Sequence, residues 1–153
     1  MALETIPLLN IATTACVGLL VGSELCLTAF TNPVLRQLDE PAQLKAAHLL
    51  TARLAPPLPI WNSVGLVLLI VEAIVQRHSP GFSLLVASSA LWATAAAFTL
   101  TLMLPLNNRL ARAGATSSPK QSLIDYRQWA VRHGPRLLLL AAALLCLLLA
   151  SYA

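Results

Sequence analysis

The sequence between residues 58 and 106 decides the fold. It reads LPIWNSVGLVLLIVEAIV (58–75), QRHSPG (76–81) and FSLLVASSALWATAAAFTLTLMLPL (82–106). Both flanking runs are apolar and long enough for a helix to cross a bilayer, which takes roughly 17–25 residues. Ser79-Pro80-Gly81 is typical of a tight turn. The stretch therefore predicts two transmembrane helices joined by a short connection.

Two further apolar runs have the same character. With the first pair they give four predicted transmembrane helices, over residues 8–30, 58–75, 82–106 and 136–152. The first run does not resemble a cleavable signal peptide, because no basic residue precedes it, it is too long and it contains Glu24. No internal repeat or low-complexity segment divides the chain. We therefore expect a single domain over residues 1–153.

The overall composition supports an integral membrane protein, with 58% hydrophobic and only 10% charged residues. A soluble domain carries about 25% charged residues, so this chain cannot cover a water-facing surface. The same composition excludes a nucleic-acid-binding module despite the net charge of +4. The three cysteines lie inside apolar runs, which argues against a disulfide framework. The predicted fold class is all-α, an integral membrane four-helix bundle.

The connections between the predicted spans are unequal in length and charge. Those at 32–57 and 107–135 are long, and each contains an amphipathic stretch, 41–54 and 123–132. We expect both stretches to lie along the membrane surface or to fold back under the bundle. Nine of the ten basic residues lie in the long connections or directly beside them: Arg36, Lys45, Arg53, Arg109, Arg112, Lys120, Arg127, Arg132 and Arg136. The positive-inside rule therefore predicts cytosolic long loops, with both termini lumenal or extracytoplasmic.

Glu24 is the candidate functional residue of the first span. An ionised carboxylate inside a bilayer costs on the order of 3 kcal/mol on insertion scales, so such residues are functional candidates by default. Thr28 and Asn32 follow at i+4 and i+8, which gives one polar stripe on an apolar helix. A purely structural role, as a hydrogen-bond partner of a neighbouring helix, is the alternative for Glu24.

Other polar residues are predicted to meet Glu24 at the same membrane face. The third span ends in LPLNNR (104–109), and the fourth is preceded by Trp129, His133 and Arg136 at spacing i, i+4 and i+7. Tyr126 lies one turn earlier. The convergence predicts a pocket that opens toward the cytosolic leaflet and is lined by Glu24, Asn32, Asn62, Asn107, Asn108, His133 and Arg136, with Trp61, Tyr126 and Trp129 beside them.

Ordinary membrane-protein roles compete with this interpretation for several of these residues. Trp61 and Trp129 fit an aromatic belt at the membrane interface. Arg136 fits a side chain that extends its charge to the headgroups. His133 fits an ordinary interfacial histidine. Asn107 and Asn108 fit a helix end and a turn.

Three short motifs carry a resemblance to a known family. They are Gly22-Ser23-Glu24 followed by Asn32-Pro33, the stretch LPLNNRL (104–110), and Trp129-x-x-x-His133-x-x-Arg136. In this order and at these positions they resemble the anthrone oxygenase family over nearly the whole chain. In relatives the second motif often reads Pro-Ile-Asn, and Leu106 replaces the isoleucine here.

The resemblance implies a membrane-bound oxygenase of secondary metabolism. Such an enzyme converts a polyketide anthrone such as emodin anthrone, with O2, to the anthraquinone and water. Under this hypothesis His133 or Glu24 removes a proton, and Arg136 with Asn107 stabilises the oxyanion. Further substrate-binding residues would be Trp129, Tyr126, Asn108, Asn32, Asn62 and Trp61.

The expected partners are an aromatic polyketide and the lipid bilayer, with no nucleic acid. We expect no cofactor besides O2 as substrate, since no flavin or nicotinamide motif is present. A metal stays an open alternative, because His133, His48 and Glu24 could supply two or three ligands, although no motif spacing supports it. Small residues at 95–97 would permit close helix packing within one subunit or in a homo-oligomer.

Two other functions are compatible with four spans. A proton-coupled small-molecule transporter of the four-span multidrug type also carries a glutamate in its first span, but its loops are short. A non-catalytic scaffold would use the basic loops to dock a soluble enzyme. Only the oxygenase and the transporter would require Glu24.

Overall fold

A computed structural model describes residues 2–54, 56–112 and 119–153. Within these ranges the chain is helical and contains no strand. In chain order the elements are α1 (Ala2–Leu25), a first π-helical segment (Cys26–Thr31), α2 (Asn32–Leu35), α3 (Glu40–Leu54), α4 (Pro57–Val75), α5 (Phe82–Phe98), a second π-helical segment (Thr99–Met103), α6 (Leu104–Arg112) and α7 (Pro119–Ala150).

Four helical stretches of the described chain are long and apolar enough to cross a membrane, which confirms the all-α membrane bundle. They are Pro7–Leu35, Pro57–Val75, Phe82–Leu110 and Lys120–Ala150. The helices that contain the predicted spans 8–30, 82–106 and 136–152 extend beyond those limits. Asn32 and Asn107 lie in helix that continues beyond those limits, because their side chains face the bundle instead of water.

The two predicted amphipathic segments have different outcomes. The segment at 41–54 is confirmed as α3, which folds back under the bundle and packs against α6 and α7. The segment at 123–132 is not a separate helix in a loop, because α7 runs unbroken from Pro119 through Pro135. A proline inside a helix removes one backbone hydrogen bond. The buried face that holds Tyr126 and Trp129 continues past that point to Arg136, so packing keeps the helix in one piece.

Two apolar clusters stabilise the bundle, one above the other. The first joins α1, α4, α5 and α7 and is built from buried residues such as Leu20, Leu69, Leu85, Trp92 and Leu140. The second joins α2, α3, the end of the third span and the beginning of α7 and includes Leu35, Ala47, Met103, Leu106, Tyr126 and Trp129. On α1 and on α7 the polar residues Glu24, His133 and Arg136 lie between the two clusters. We call the end of the bundle that holds the second cluster the site end.

The far end of the bundle is held by polar contacts around Glu72. Asn10 Nδ2 donates to Glu72 Oε1 at 2.7 Å and to Ser151 Oγ at 2.8 Å. Gln76 Nε2 donates to the same carboxylate oxygen at 3.0 Å. Gly81 packs so closely on the end of α7 that a Cβ there would lie 2.5 Å from the Ala150 carbonyl oxygen. These contacts tie α1, α4 and the end of α7 together.

Candidate functional site

The first π-helical segment sets which residues face the site. In a π-helix the hydrogen bonds run from i to i+5, so each turn takes one more residue than in an α-helix. Buried positions are Glu24 before the segment, Leu27 near its beginning, and Asn32 and Leu35 after it. Leu27 and Asn32 are five residues apart, a spacing that would lie on different faces of a regular α-helix. The segment therefore returns Asn32 to the interior.

The second π-helical segment lies in the third span and borders the same region. Its residues Thr99, Leu100 and Met103 line the cavity described below. The carbonyl of Leu102 accepts a hydrogen bond of 2.7 Å from Arg132 Nη1, which fastens this segment to α7. Such π-helical turns are rare in proteins, and many of those that occur lie at functional sites.

Glu24 and Arg136 form a buried ion pair between the first and the last span. Arg136 Nη1 donates to Glu24 Oε1. The Glu24 side chain is 0% exposed and that of Arg136 is 3% exposed. Each charge would be costly alone in a low-dielectric interior, and each neutralises the other. The arginine is therefore a fixed cation of the site instead of a side chain that extends to the headgroups.

His133 presents one basic nitrogen next to this pair. Its Nδ1 donates to the Trp129 carbonyl oxygen at 3.0 Å. Because a carbonyl only accepts, Nδ1 carries the hydrogen and Nε2 keeps the lone pair of the neutral ring. Nε2 lies 3.8 Å from Glu24 Oε2, too far for a hydrogen bond but close enough for the carboxylate to stabilise a protonated ring. The pair has the arrangement of a general base with a supporting carboxylate.

Trp129 organises the aromatic side of the site. Its Nε1 donates to Asn107 Oδ1 at 2.7 Å, so the amide nitrogen of Asn107 stays the free donor. Its ring centroid is 4.1 Å from that of His133. Tyr126 stacks on it at 6.0 Å with an interplanar angle of 28°. The indole is thus held in place by three neighbours.

Asn107, Trp129, His133 and Arg136 form part of the wall of a cavity of about 280 Å³. The wall combines α3, α4, the third span and α7, with one contribution from the first π-helical segment. It is mostly apolar, and its polar side chains include Asn62, Asn107, Asn108, His133 and Arg136. Small-molecule sites of proteins have this form, an apolar concavity with a few placed polar groups.

The sequence of this chain matches the profile of a known family. The anthrone oxygenase profile matches residues 47–146, more than half of the chain. The chain belongs to the anthrone oxygenase family. The matched region contains Asn62, Asn107, Trp129, His133 and Arg136, whereas Glu24 precedes it. No curated protein and no solved structure matches the chain significantly.

The structure brings most of the predicted site residues together. Six of them line the cavity: Asn62, Asn107, Asn108, Trp129, His133 and Arg136. Glu24 lies directly behind Arg136 and His133. The other three do not line it. Trp61 Nε1 donates to the Cys16 carbonyl at 3.1 Å, Tyr126 lies behind Trp129, and Asn32 is buried in the first span.

Several cavity residues were not predicted. They include Leu27, Thr51, Thr99, Leu100 and Met103. Thr51 lies on the buried face of α3 and could have been found from the amphipathic pattern of that helix. The others are apolar or hydroxyl residues in membrane spans, where nothing in the sequence distinguishes a cavity wall from a lipid-facing position.

Within the described ranges, no group of three or more His, Cys, Asp or Glu side chains could hold a metal ion. His48 Nδ1 lies 3.3 Å from the Leu110 carbonyl, on the outer side of the second cluster.

Proposed function

We propose that this protein is a membrane-bound oxygenase that converts a polyketide anthrone and O2 to the anthraquinone and water. The observation that carries the proposal is the pairing, at one cavity wall, of the free His133 Nε2 with the Glu24–Arg136 ion pair. A base, a supporting carboxylate and a cation thus meet in an apolar cavity. Membership of the anthrone oxygenase family supports the choice of substrate class.

The chemistry of an anthrone matches these groups. Its methylene lies between two aromatic rings, so removal of one proton gives a stabilised enolate. The enolate reduces O2, and a C–O bond forms at the former methylene carbon. Loss of the second C–H proton and cleavage of the O–O bond then give the quinone carbonyl and water. The overall change is CH2 + O2 → C=O + H2O, so no further reductant or cofactor is required.

Each residue takes a role that follows from its contacts. His133 Nε2 accepts the methylene proton, and Glu24 stabilises the imidazolium that results. Arg136 and the free amide nitrogen of Asn107 stabilise the negative charge that develops on the anthrone oxygen. Trp129 lies against one face of the flat substrate. Tyr126 supports Trp129 from behind and does not touch the substrate.

The size and surroundings of the cavity agree with this substrate class. A protein cavity of about 150 Å³ admits benzene, so about 280 Å³ admits a larger fused-ring compound. O2 and anthrones both concentrate in hydrocarbon, which favours a site inside the bilayer. We also propose that the site end faces the cytosol, because nine of the ten basic residues lie in or beside the connections at that end.

The experiment uses membranes that contain the wild type, His133→Ala or Glu24→Gln. Two matched controls are His78→Ala, an exposed histidine at the far end, and Glu72→Gln, a buried carboxylate there with uncharged partners. Emodin anthrone is supplied with and without O2, and quinone absorbance is followed above the spontaneous rate. We expect His133→Ala to lose about 10²–10⁴-fold in rate and both controls to keep the wild-type rate.

A strong chelator provides the second arm of this experiment. Unchanged turnover supports the cofactor-free reaction, whereas loss of turnover would make His133 and Glu24 metal ligands instead of a base and its support. No acceleration with any of several anthrones would refute the substrate assignment. Proton-coupled flux in vesicles, dependent on Glu24, would then be measured to test the transporter.

A further inference from the structure

The residues that line the cavity range from buried to exposed. The buried group surrounds the ion pair and the histidine and includes Asn62, Met103, Trp129, His133 and Arg136. The exposed group lies on two facing edges, Pro59 and Ser63 on α4 and Leu100, Leu104 and Asn108 on the third span. We call the opening between these two edges the lateral mouth. Exposure thus increases from the site outward in one direction.

The lateral mouth exists because α4 and the third span separate toward the site end. The two helices pack closely where Gly65 meets Trp92, whose Nε1 donates to the Asn62 carbonyl at 3.0 Å. In the described chain α4 packs against α5 but has no comparable packing with the second π-helical segment or with α6. The gap therefore begins just beyond Trp92 and widens along the second half of the third span.

The depth of the mouth places it among acyl chains. Ser63 is six residues from the beginning of the span Pro57–Val75, about 9 Å along the helix. Leu100 is ten residues from the end of the span Phe82–Leu110, about 15 Å. The hydrocarbon core of a bilayer is about 30 Å thick. We therefore place Ser63 and Leu100 in the hydrocarbon region, with Leu100 62% exposed, and Asn108 near its boundary.

The side toward water is covered by α3. Thr51 is buried and Leu54 partly buried at that end of the cavity. The helix is held in place against α6, with His48 Nδ1 donating to the Leu110 carbonyl at 3.3 Å. A ligand that entered past Thr51 and Leu54 would have to displace this helix.

We propose that the site takes its ligand sideways from the bilayer through the lateral mouth, with Ser63 and Leu100 setting the width of the opening. The ligand class is a flat, weakly polar aromatic compound dissolved among the acyl chains. Its chemical identity as an anthrone rests on the proposed function. The route itself depends only on the shape and depth of the cavity.

The test narrows the mouth and measures ligand binding apart from turnover. The double variant Ser63→Phe/Leu100→Phe adds a ring on each edge. Leu102→Phe is the matched control, because Leu102 lies in the same π-helical segment and is 42% exposed but does not line the cavity. The protein in lipid nanodiscs is mixed with a non-reactive anthraquinone, and quenching of tryptophan fluorescence gives the association rate.

We expect the double variant to lower the association rate of the anthraquinone about tenfold, because a narrower access route slows binding. The control should retain the wild-type rate. Leu100→Ala, which widens the mouth, should bind faster. When lipid is added at constant total anthraquinone, the rate should follow the concentration in the bilayer.

Two results overturn the route. They are wild-type association rates in the double variant, and rates that follow the aqueous concentration, which would place the access path at α3. A different result would be anthraquinone binding that is slowed in the double variant, together with no oxidation of any anthrone. It would refute the proposed function and support the lateral route. The two failures are therefore distinguishable.

Discussion

The buried ion pair gives the sharpest stability prediction, since replacing either partner alone leaves a charge inside the bundle. Glu24 and Arg136 are 0% and 3% exposed, so solvent screens neither charge. Breaking such a pair costs about 3–5 kcal/mol. The loss of stability in Glu24→Leu should lie at the upper end of this range, because the described residues provide no second acid within ion-pair distance of Arg136. The loss in Arg136→Met should lie at the lower end of the range. His133 Nε2 is 3.8 Å from Glu24 Oε2, so a protonated His133 can replace the guanidinium as the cation beside Glu24.

The assay is reversible unfolding in mixed micelles, with SDS as the denaturant and far-UV circular dichroism as the readout. The double variant Glu24→Leu/Arg136→Met removes both charges and should lose less than about 2 kcal/mol, well below the sum of the single losses. Arg127→Met serves as the control, because Arg127 is exposed on the same helix as Arg136, and it should change stability by less than about 0.5 kcal/mol.

Three outcomes would contradict this reasoning. Single losses below about 1 kcal/mol would mean that the charges are hydrated in the folded protein. A double variant that loses the sum of the two single values would mean that the charges are not coupled. A larger loss for Arg136→Met than for Glu24→Leu would mean that His133 does not compensate for the missing guanidinium.

Three further predictions concern packing and the aromatic wall. Gly65→Ala should cost about 1–3 kcal/mol in the same assay, because its Cβ would lie 2.8 Å from Trp92 Cζ2 in a filled core. Gly81→Ala should cost a similar amount, because its Cβ would meet a backbone carbonyl at 2.5 Å. Trp129→Phe should lose the 2.7 Å hydrogen bond to Asn107, worth about 1 kcal/mol. Its turnover should fall about tenfold in the anthrone assay, because the Asn107 amide is no longer oriented.

One glycine substitution serves as the control for the two packing predictions, and one result would contradict the prediction for Trp129. Gly18→Ala should be neutral or stabilising by up to about 1 kcal/mol, since a Cβ there meets nothing within 4 Å and alanine favours a helix. Equal effects at Gly18 and Gly65 would mean that crowding is not the cause. Wild-type turnover in Trp129→Phe would remove Asn107 from the proposed oxyanion contacts.

Much of the architecture was predictable because membrane spans are defined by length and apolarity, both of which are read from the sequence. The polar residues near the ends of those spans also indicated where the cavity lies, since Asn107, His133 and Arg136 line it. Which residues pair across the bundle was not predictable, because Glu24 and Arg136 are 112 residues apart in the sequence. The π-helical segments were missed because an i to i+5 hydrogen-bond pattern has no compositional signature.

The continuation of α7 through Pro135 was also missed, and for a different reason. A Gly-Pro pair usually indicates the end of a helix. Here one lost backbone hydrogen bond is outweighed by a buried face that runs from Tyr126 through Trp129 to Arg136. Trp61 illustrates the opposite case, in which a residue at a plausible site position instead fastens α4 to α1 through the Cys16 carbonyl.

The length of chain between the two partners of the ion pair also bears on how the protein is made. The carboxylate and its guanidinium are 112 residues apart, and ribosomes add about 5–20 residues per second. Glu24 is therefore synthesised roughly 6–22 s before Arg136. During that interval an unpaired acid would cost about 3 kcal/mol in lipid. The leucine, isoleucine, valine and phenylalanine residues of the first helix each favour insertion by about 0.3–0.6 kcal/mol and together offset this cost. The ion pair that joins the first helix to the last therefore forms as a late step in the assembly of the bundle.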